Sequence, residues 1–268
     1  MLLLYTTALA SPASFTRDFA HAVVRAFPEC AAEPVARLTV GVSCAGGDQL
    51  KLAVGRLYSS CRADRSTCGA ERDTFLRGLD EALHPRPPTL DHVIPGVRPR
   101  SALEGLGGSP VVSEPFGGSL VVVYLLDSPT TMRYLKEDEL VGLGVSAGEM
   151  LAATRPNVKA YAGDLDVQQK GPLLWVTGSV YTSSILFETP FWERLASAHG
   201  EVYAAAPARD VLLVLGTETE DLRAPELLRL AAQVVVVDPD TSGPLSSDVF
   251  HWKGGTWELV EADGKPGR

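Results

Sequence analysis

Apolar side chains recur every four residues at Phe15, Phe19, Val23 and Phe27, the repeat of a helix with one buried stripe. Ser14 stands where a cap would open that helix, and Pro28 and Pro34 bracket its exit. Two β-type runs follow, over 37–42 and 49–54. In the second, Leu50, Leu52 and Val54 alternate with Lys51 and Ala53, so one face is buried. Residues 45–48 between them read as a hairpin turn. Residues 57–61 open a helix, 63–67 are loop-like, and a further helix over 71–83 carries Leu76, Leu79 and Leu83 on one face. The first 85 residues thus read as an α-β-β-α unit.

Three prolines within 84–88 cannot continue a helix and favour an extended linker. Beyond it, 119–126 is an unbroken apolar run, the signature of a central strand, ended at 127–129. A short helix is expected over 136–141. Ser146 and Glu149 match a capping box, with Val145 and Met150 as its hydrophobic staple. Strands are expected at 158–162 and 173–177. Thr189 then caps a helix with Pro190 at its first position, Phe191, Trp192 and Leu195 inward, and Gly200 as its stop. Strands at 201–206 and 210–215, a helix over 221–234 and a closing hairpin of 250–252 with 256–260 complete the pattern. The fold class is α+β: two similarly built α/β-sandwich halves with mainly antiparallel sheets. The expected division is an N-terminal domain over 1–85, a Pro-rich linker over 86–100 and a C-terminal domain over 101–268.

Composition narrows the function classes. With 45% hydrophobic and 21% charged residues among 268, the chain buries a substantial core. Its 24 basic against 33 acidic residues, a formal charge of −9, exclude a general phosphate-backbone binder, so no nucleic-acid partner is expected. No apolar run approaches the roughly 18 residues of a membrane span. Residues 1–10 are apolar, but the first basic residue, Arg17, follows the apolar run, so a first strand or packed extension is preferred over a secretion signal.

Cys30, Cys44, Cys61 and Cys68 are spaced too widely for the paired ligands of a structural zinc site. Free thiols in a cytoplasmic protein are the preferred reading, with three disulfide connectivities open if they pair.

A search for catalytic motifs returns no P-loop, dinucleotide fingerprint, paired-histidine zinc motif or nucleophile elbow. The histidines (His21, His84, His92, His199, His251) are scattered. The acidic groups at 137–139 and at Glu218, Glu220 and Asp221 sit near expected helix starts, where the helix dipole favours them. No catalytic residue, metal site or cofactor is assigned. The candidate ligand-binding residues are Arg98 and Arg100, two guanidiniums separated by one proline and suited to an anion, with Tyr181, Ser184, Arg209 and Asp210.

The ordered set 15–19, 121–127, 132–135 with 138–140, 143–146, 178–184, Trp192 and 207–214 resembles the DUF1444 (YtpQ-like) family of bacterial proteins. The order and spacing of these segments, over about Phe15 to Val260, carry the resemblance. It implies a bacterial cytosolic protein and brings no catalytic residues. The chain departs at 153–157, where the family pattern resembles a longer helix and Pro156 cuts it short.

The expected function is a non-catalytic protein-binding or chaperone/adaptor-like module with a protein partner. One alternative is a small-anion-binding protein or enzyme with an arginine-lined pocket. Another is an immunity or antitoxin-type partner of a basic effector, recruited by complementary charge.

Overall fold

The Ser11 hydroxyl accepts the Ser14 amide at 3.2 Å and opens the first helix, α1 (Pro12–Ala26), three residues earlier than the apolar repeat suggested. The computed structural model describes residues 11–44, 49–84, 87–104, 106, 109–128, 132–163, 165–217, 223–238, 241 and 243–261. The apolar start (1–10), the hairpin turn (45–48) and the second acidic group (218–221) lie outside them. The described residues divide into two units, 11–84 and 87–261.

In the first unit α1 is followed by β1 (Cys30–Ala36), β2 (Thr39–Cys44), β3 (Gln49–Ala53), α2 (Gly55–Ala63) and α3 (Cys68–Leu83). The sheet is antiparallel in the order β1-β2-β3. Phe19, Val23 and Phe27 pack onto Val40, Val42, Val54, Leu57 and Leu79. β1 was not expected, because Pro28 and Pro34 read as the exit from the first helix. Pro34 is tolerated because β1 is an edge strand, where a missing amide need face no partner.

That strand also corrects the cysteine reading. β1 lies beside β2 with Cys30 directly opposite Cys44, and the two form a disulfide. Cys61 near the end of α2 and Cys68 at the start of α3 form a second. The thiols are therefore paired, not free. Spacing along the chain could not show this, because the pairing depends on the strand register and on how the 64–67 connection returns.

The second unit contains two antiparallel sheets, so the expectation of two similarly built halves is replaced by a small one-sheet unit and a larger two-sheet unit. The α+β class with antiparallel sheets stands. The smaller sheet comprises β4 (Val93–Pro99), β5 (Ser113–Gly117), β6 (Leu120–Asp127) and β7 (Met132–Tyr134), with β6 pairing all three others. Short helices α4 (Leu140–Leu143), α5 (Met150–Thr154) and α6 (Asn157–Ala162) follow. The larger sheet is built from β8 (Asp166–Lys170), β9 (Leu173–Thr177), β10 (Glu201–Ala208), β11 (Val211–Thr217), β12 (Val249–Lys253) and β13 (Thr256–Val260). Its order is β13-β12-β10-β11-β9-β8. Helices α7 (Thr189–His199) and α8 (Ala224–Val237) complete the unit.

Strand alternation sets the layers. Val202, Ala204, Leu212, Val214, Phe250 and Trp252 face the space between the sheets, where they meet Leu120, Val122 and Tyr124. Tyr203, Ala205, Leu213 and Leu215 face the other way and are covered by Ala224, Leu228 and Ala232 of α8. β6 is covered on both faces, since Val121, Val123 and Leu125 join Ile94 and Tyr181 opposite the central core. Burial on both sides explains why 120–126 reads as an uninterrupted apolar run.

Two sequence expectations change here. Seven of the fifteen residues of the proposed linker over 86–100 form β4, a buried strand paired residue for residue with β6 from Val93↔Leu126 to Pro99↔Leu120. Its prolines fit because β4 is an edge strand. The strand expected at 158–162 is helix α6. Pro156 precedes it, and the Asn157 side-chain amide pins its start by donating to the Leu90 and Val93 carbonyls at 2.7 and 2.8 Å. Val158 and Ala162, four apart, form its buried face.

Candidate anion site

Arg98 sits on β4 on the face it shares with Ile94 and Gly96, next to Val121 of β6. Its side chain is 8% exposed. Gly96, two residues earlier on the same face, lies against the guanidinium: a Cβ there would stand 3.7 Å from Arg98 Nη1, an ordinary contact. Nη1 donates back to the Val97 carbonyl at 2.7 Å, and the guanidinium is also hydrogen-bonded to the Tyr134 phenol. Among the described residues it makes no ion pair. Burial lowers the Arg98 pKa first, and repulsion from the neighbouring Arg209 adds to it; the phenols of Tyr134 and Tyr181 act the other way. The guanidinium remains charged in such a setting.

Arg209 enters from the turn between β10 and β11. Its carbonyl accepts the Ser183 amide at 3.0 Å, and its amide donates to Gly243 at 3.2 Å. Its side chain lies over Gly243, where a Cβ would come within 2.8 Å of Arg209 Nε. Gly243 also has φ +66°, so glycine is required there twice over.

The segment 178–184 supplies the third wall. The Ser179 hydroxyl accepts the Tyr181 amide at 3.1 Å and anchors a 3-10 turn, Thr182–Phe187, whose six residues are all buried. Ser184 Oγ faces Gly96, 3.6 Å from the position of a Cβ there. It has no hydrogen-bond partner among the described residues. Tyr181 donates its phenolic proton to Asp127 at the end of β6, and Tyr161 of α6 meets the Tyr181 ring edge-on at 5.9 Å. Burial pushes the Tyr181 pKa well up, and Asp127 reinforces it, so this phenol is a fixed neutral donor. Burial likewise raises Tyr161, with Asp127 and Asp91 adding to the effect.

Arg98, Tyr181, Ser184 and Arg209, picked from the sequence as residue types, therefore come to one place from three separated segments. Arg100 does not join them. β4 ends at Pro99, and Arg100 starts an exposed helical turn. Asp210 is half-buried in the β10–β11 turn, and no contact of Arg98 involves it. Tyr134, Asp127, Tyr161 and Gly96 were missed. Strand register would have found Tyr134 and Asp127, since Tyr134 lies opposite Leu125, and Met132 opposite Asp127, on β6; Tyr161 sits on helix α6, read from sequence as a strand.

The buried Arg98 guanidinium has no counter-charge among the described residues, and a buried hydroxyl without a partner, as at Ser184, is destabilising by about 1–3 kcal/mol. An anion placed against Arg98 and Ser184 relieves both. Among the described residues no group of histidine, cysteine, aspartate or glutamate side chains is arranged to hold a metal ion, and no helix is long and apolar enough to cross a membrane.

No family model, no curated protein and no solved structure matches this chain.

Proposed function

We propose that the second unit is a binding module for a small anion carrying a carboxylate or phosphate group. The anion sits against Arg98, with Arg209 as second cation and Ser184, Tyr134 and Tyr181 around it. The observation that carries this reading is the buried Arg98 guanidinium, which itself has no ion-pair partner among the described residues. A buried cation is expensive unless a counter-charge meets it, and a guanidinium fork matches carboxylate and phosphate oxygens. The test is calorimetric titration of the whole protein with sodium phosphate and sodium succinate in chloride of matched ionic strength. Saturable heat with either probe, lost in Arg98→Met, supports the module; no heat beyond the chloride control contradicts it.

The protein-partner reading also has an observation behind it. Helix α8 leaves Leu227, Leu230, Val234 and Val237 exposed, spaced three, four and three residues apart. This is the spacing of a helix-pairing seam, and it is self-complementary, so the partner it fits is a second copy of the chain. Light scattering tests it: a dimer that becomes monomeric in Leu230→Glu/Val234→Glu supports pairing, and a monomeric wild type at high concentration refutes it.

The two disulfides of the first unit support a location in an oxidising compartment rather than the cytoplasm expected from composition. Kinship with the DUF1444 family stays a proposal carried by the segments that suggested it.

A further inference from the structure

A second feature of the larger unit lies on the opposite face of the four-stranded sheet from Arg98 and does not depend on the anion site. There a cleft of about 190 Å³ opens beside the edge strand β5. Phe116, Phe187, Trp252 and Trp257 form its aromatic lining, and Glu114 and Arg155 bring the two charges of opposite sign.

The aromatic walls are held in place. Phe116 lies 5.7 Å from Phe187 and 4.8 Å from Phe250, and Trp252 lies 5.0 Å from Trp257. The Trp257 indole donates to the Leu186 carbonyl at 2.8 Å. One oxygen of the Glu114 carboxylate accepts the phenolic proton of Tyr124. Burial, reinforced by that hydrogen bond, pushes the Tyr124 pKa far up, so the phenol stays a donor. The other carboxylate oxygen has no donor among the described residues. Arg155 is exposed, and the one hydrogen bond of its side chain among the described residues is a long one, 3.4 Å to the Thr189 hydroxyl. Glu114 and Arg155 line the same cleft and do not pair with each other.

A carboxylate with an open oxygen, an exposed guanidinium and fixed aromatic faces complement a ligand bearing an ammonium, a carboxylate and an apolar body. The volume is below the range of drug-sized pockets and suits a ligand of few heavy atoms. We infer that this cleft binds a small zwitterion with an apolar side chain, of the class of a free α-amino acid. Its ammonium meets Glu114, its carboxylate meets Arg155, and its side chain lies on the Trp252 and Trp257 rings.

All four tryptophans of the chain (Trp175, Trp192, Trp252, Trp257) belong to this unit, so intrinsic fluorescence together with calorimetry reads the site in the full chain. The probes are L-leucine and L-phenylalanine, with protonated L-leucinamide, which lacks the carboxylate charge, and N-acetyl-L-leucine, which lacks the ammonium. At least one free amino acid is expected to saturate, with both single-charge analogues weaker by about tenfold. Glu114→Gln keeps an acceptor for Tyr124 and is expected to weaken amino-acid binding by about tenfold, as is the surface change Arg155→Gln. The inference is overturned if neither amino acid saturates, if one single-charge analogue binds as well as L-leucine, or if both variants bind like wild type. The anion site is read separately through Arg98→Met, which leaves this cleft untouched.

Discussion

Arg98 and Ser184 meet across Gly96. A Cβ at that glycine would stand 3.7 Å from Arg98 Nη1 and 3.6 Å from Ser184 Oγ. Both are ordinary van der Waals distances, so the strand and the 3-10 turn bring the guanidinium and the hydroxyl to the same glycine without either group needing the space of its missing side chain. The same Cβ would lie 3.0 Å from Leu125 Cδ1, tight enough that the buried leucine must shift.

Gly96→Ala should accordingly destabilise the second unit by about 1–3 kcal/mol, the usual range for overpacking. Urea unfolding followed by tryptophan fluorescence measures this. An unchanged midpoint would mean that Leu125 gives way at no cost.

Arg98→Met should behave in the opposite way without ligand. Replacing a buried guanidinium that has a like-charged neighbour by an apolar side chain of similar length is expected to be neutral or stabilising, by up to about 1–4 kcal/mol. Denaturant unfolding of the ligand-free protein checks the sign. Clear destabilisation would show that Arg98 already has a structural counter-charge.

The disulfides belong to the first unit and the tryptophans to the second. Cys30–Cys44 closes a separation of 14 residues and Cys61–Cys68 one of 7, so each is expected to contribute about 2.5–3 kcal/mol by restricting the unfolded chain. Reduction should then unfold the first unit at lower temperature, seen by far-ultraviolet circular dichroism, while the tryptophan-detected transition stays in place. Alkylation of the unreduced, denatured protein should add nothing; quantitative labelling of the cysteines would refute the pairing.

Glu139 gives a pH signature. Burial raises its pKa, but the bidentate contact with Arg133 at 2.7 and 2.8 Å and the Lys136 amide outweigh this and hold it below the usual value of 4.5. A carboxyl lowered in the folded state contributes stability that is present above its unfolded pKa and is lost as pH falls through the folded one. Glu139→Gln should therefore be less stable than wild type at neutral pH, with the difference narrowing as pH falls below the usual carboxylate value of 4.5. A pH-independent difference would mean that the contact acts by shape and not by charge.

The sequence was readable wherever local chemistry and burial agreed. The apolar run of β6 and the Ser146–Glu149 capping box appear as expected, because each is fixed by side chains within a few positions; α7 also forms, but from Thr189 with Glu188 at the cap position and Pro190 second in the helix. β8 escaped because all five of its residues are exposed and carry no alternation. β1 escaped because Pro34 is permitted only by its edge position. Residues 158–162 read as a strand from composition, yet the Asn157 contacts to 90 and 93 fix a helix, a tertiary influence no local window contains. At the site, Arg98, Tyr181, Ser184 and Arg209 stood out as residue types. Their convergence, and the parts played by Gly96, Asp127 and Tyr134, follow from register. The Arg98–Arg100 pair failed for the same reason, since the strand ends between them.

The most direct test of the anion module is the tryptophan-detected melt of wild type and Arg98→Met, in chloride and in phosphate or succinate at equal ionic strength. A ligand at about 100 times its dissociation constant adds about 2.7 kcal/mol, or roughly 5–10 °C for a unit of this size. The wild type should gain that shift in at least one of the two anions and Arg98→Met should show none. Equal shifts in both proteins, or no shift in either anion, would contradict a functional role for the buried arginine.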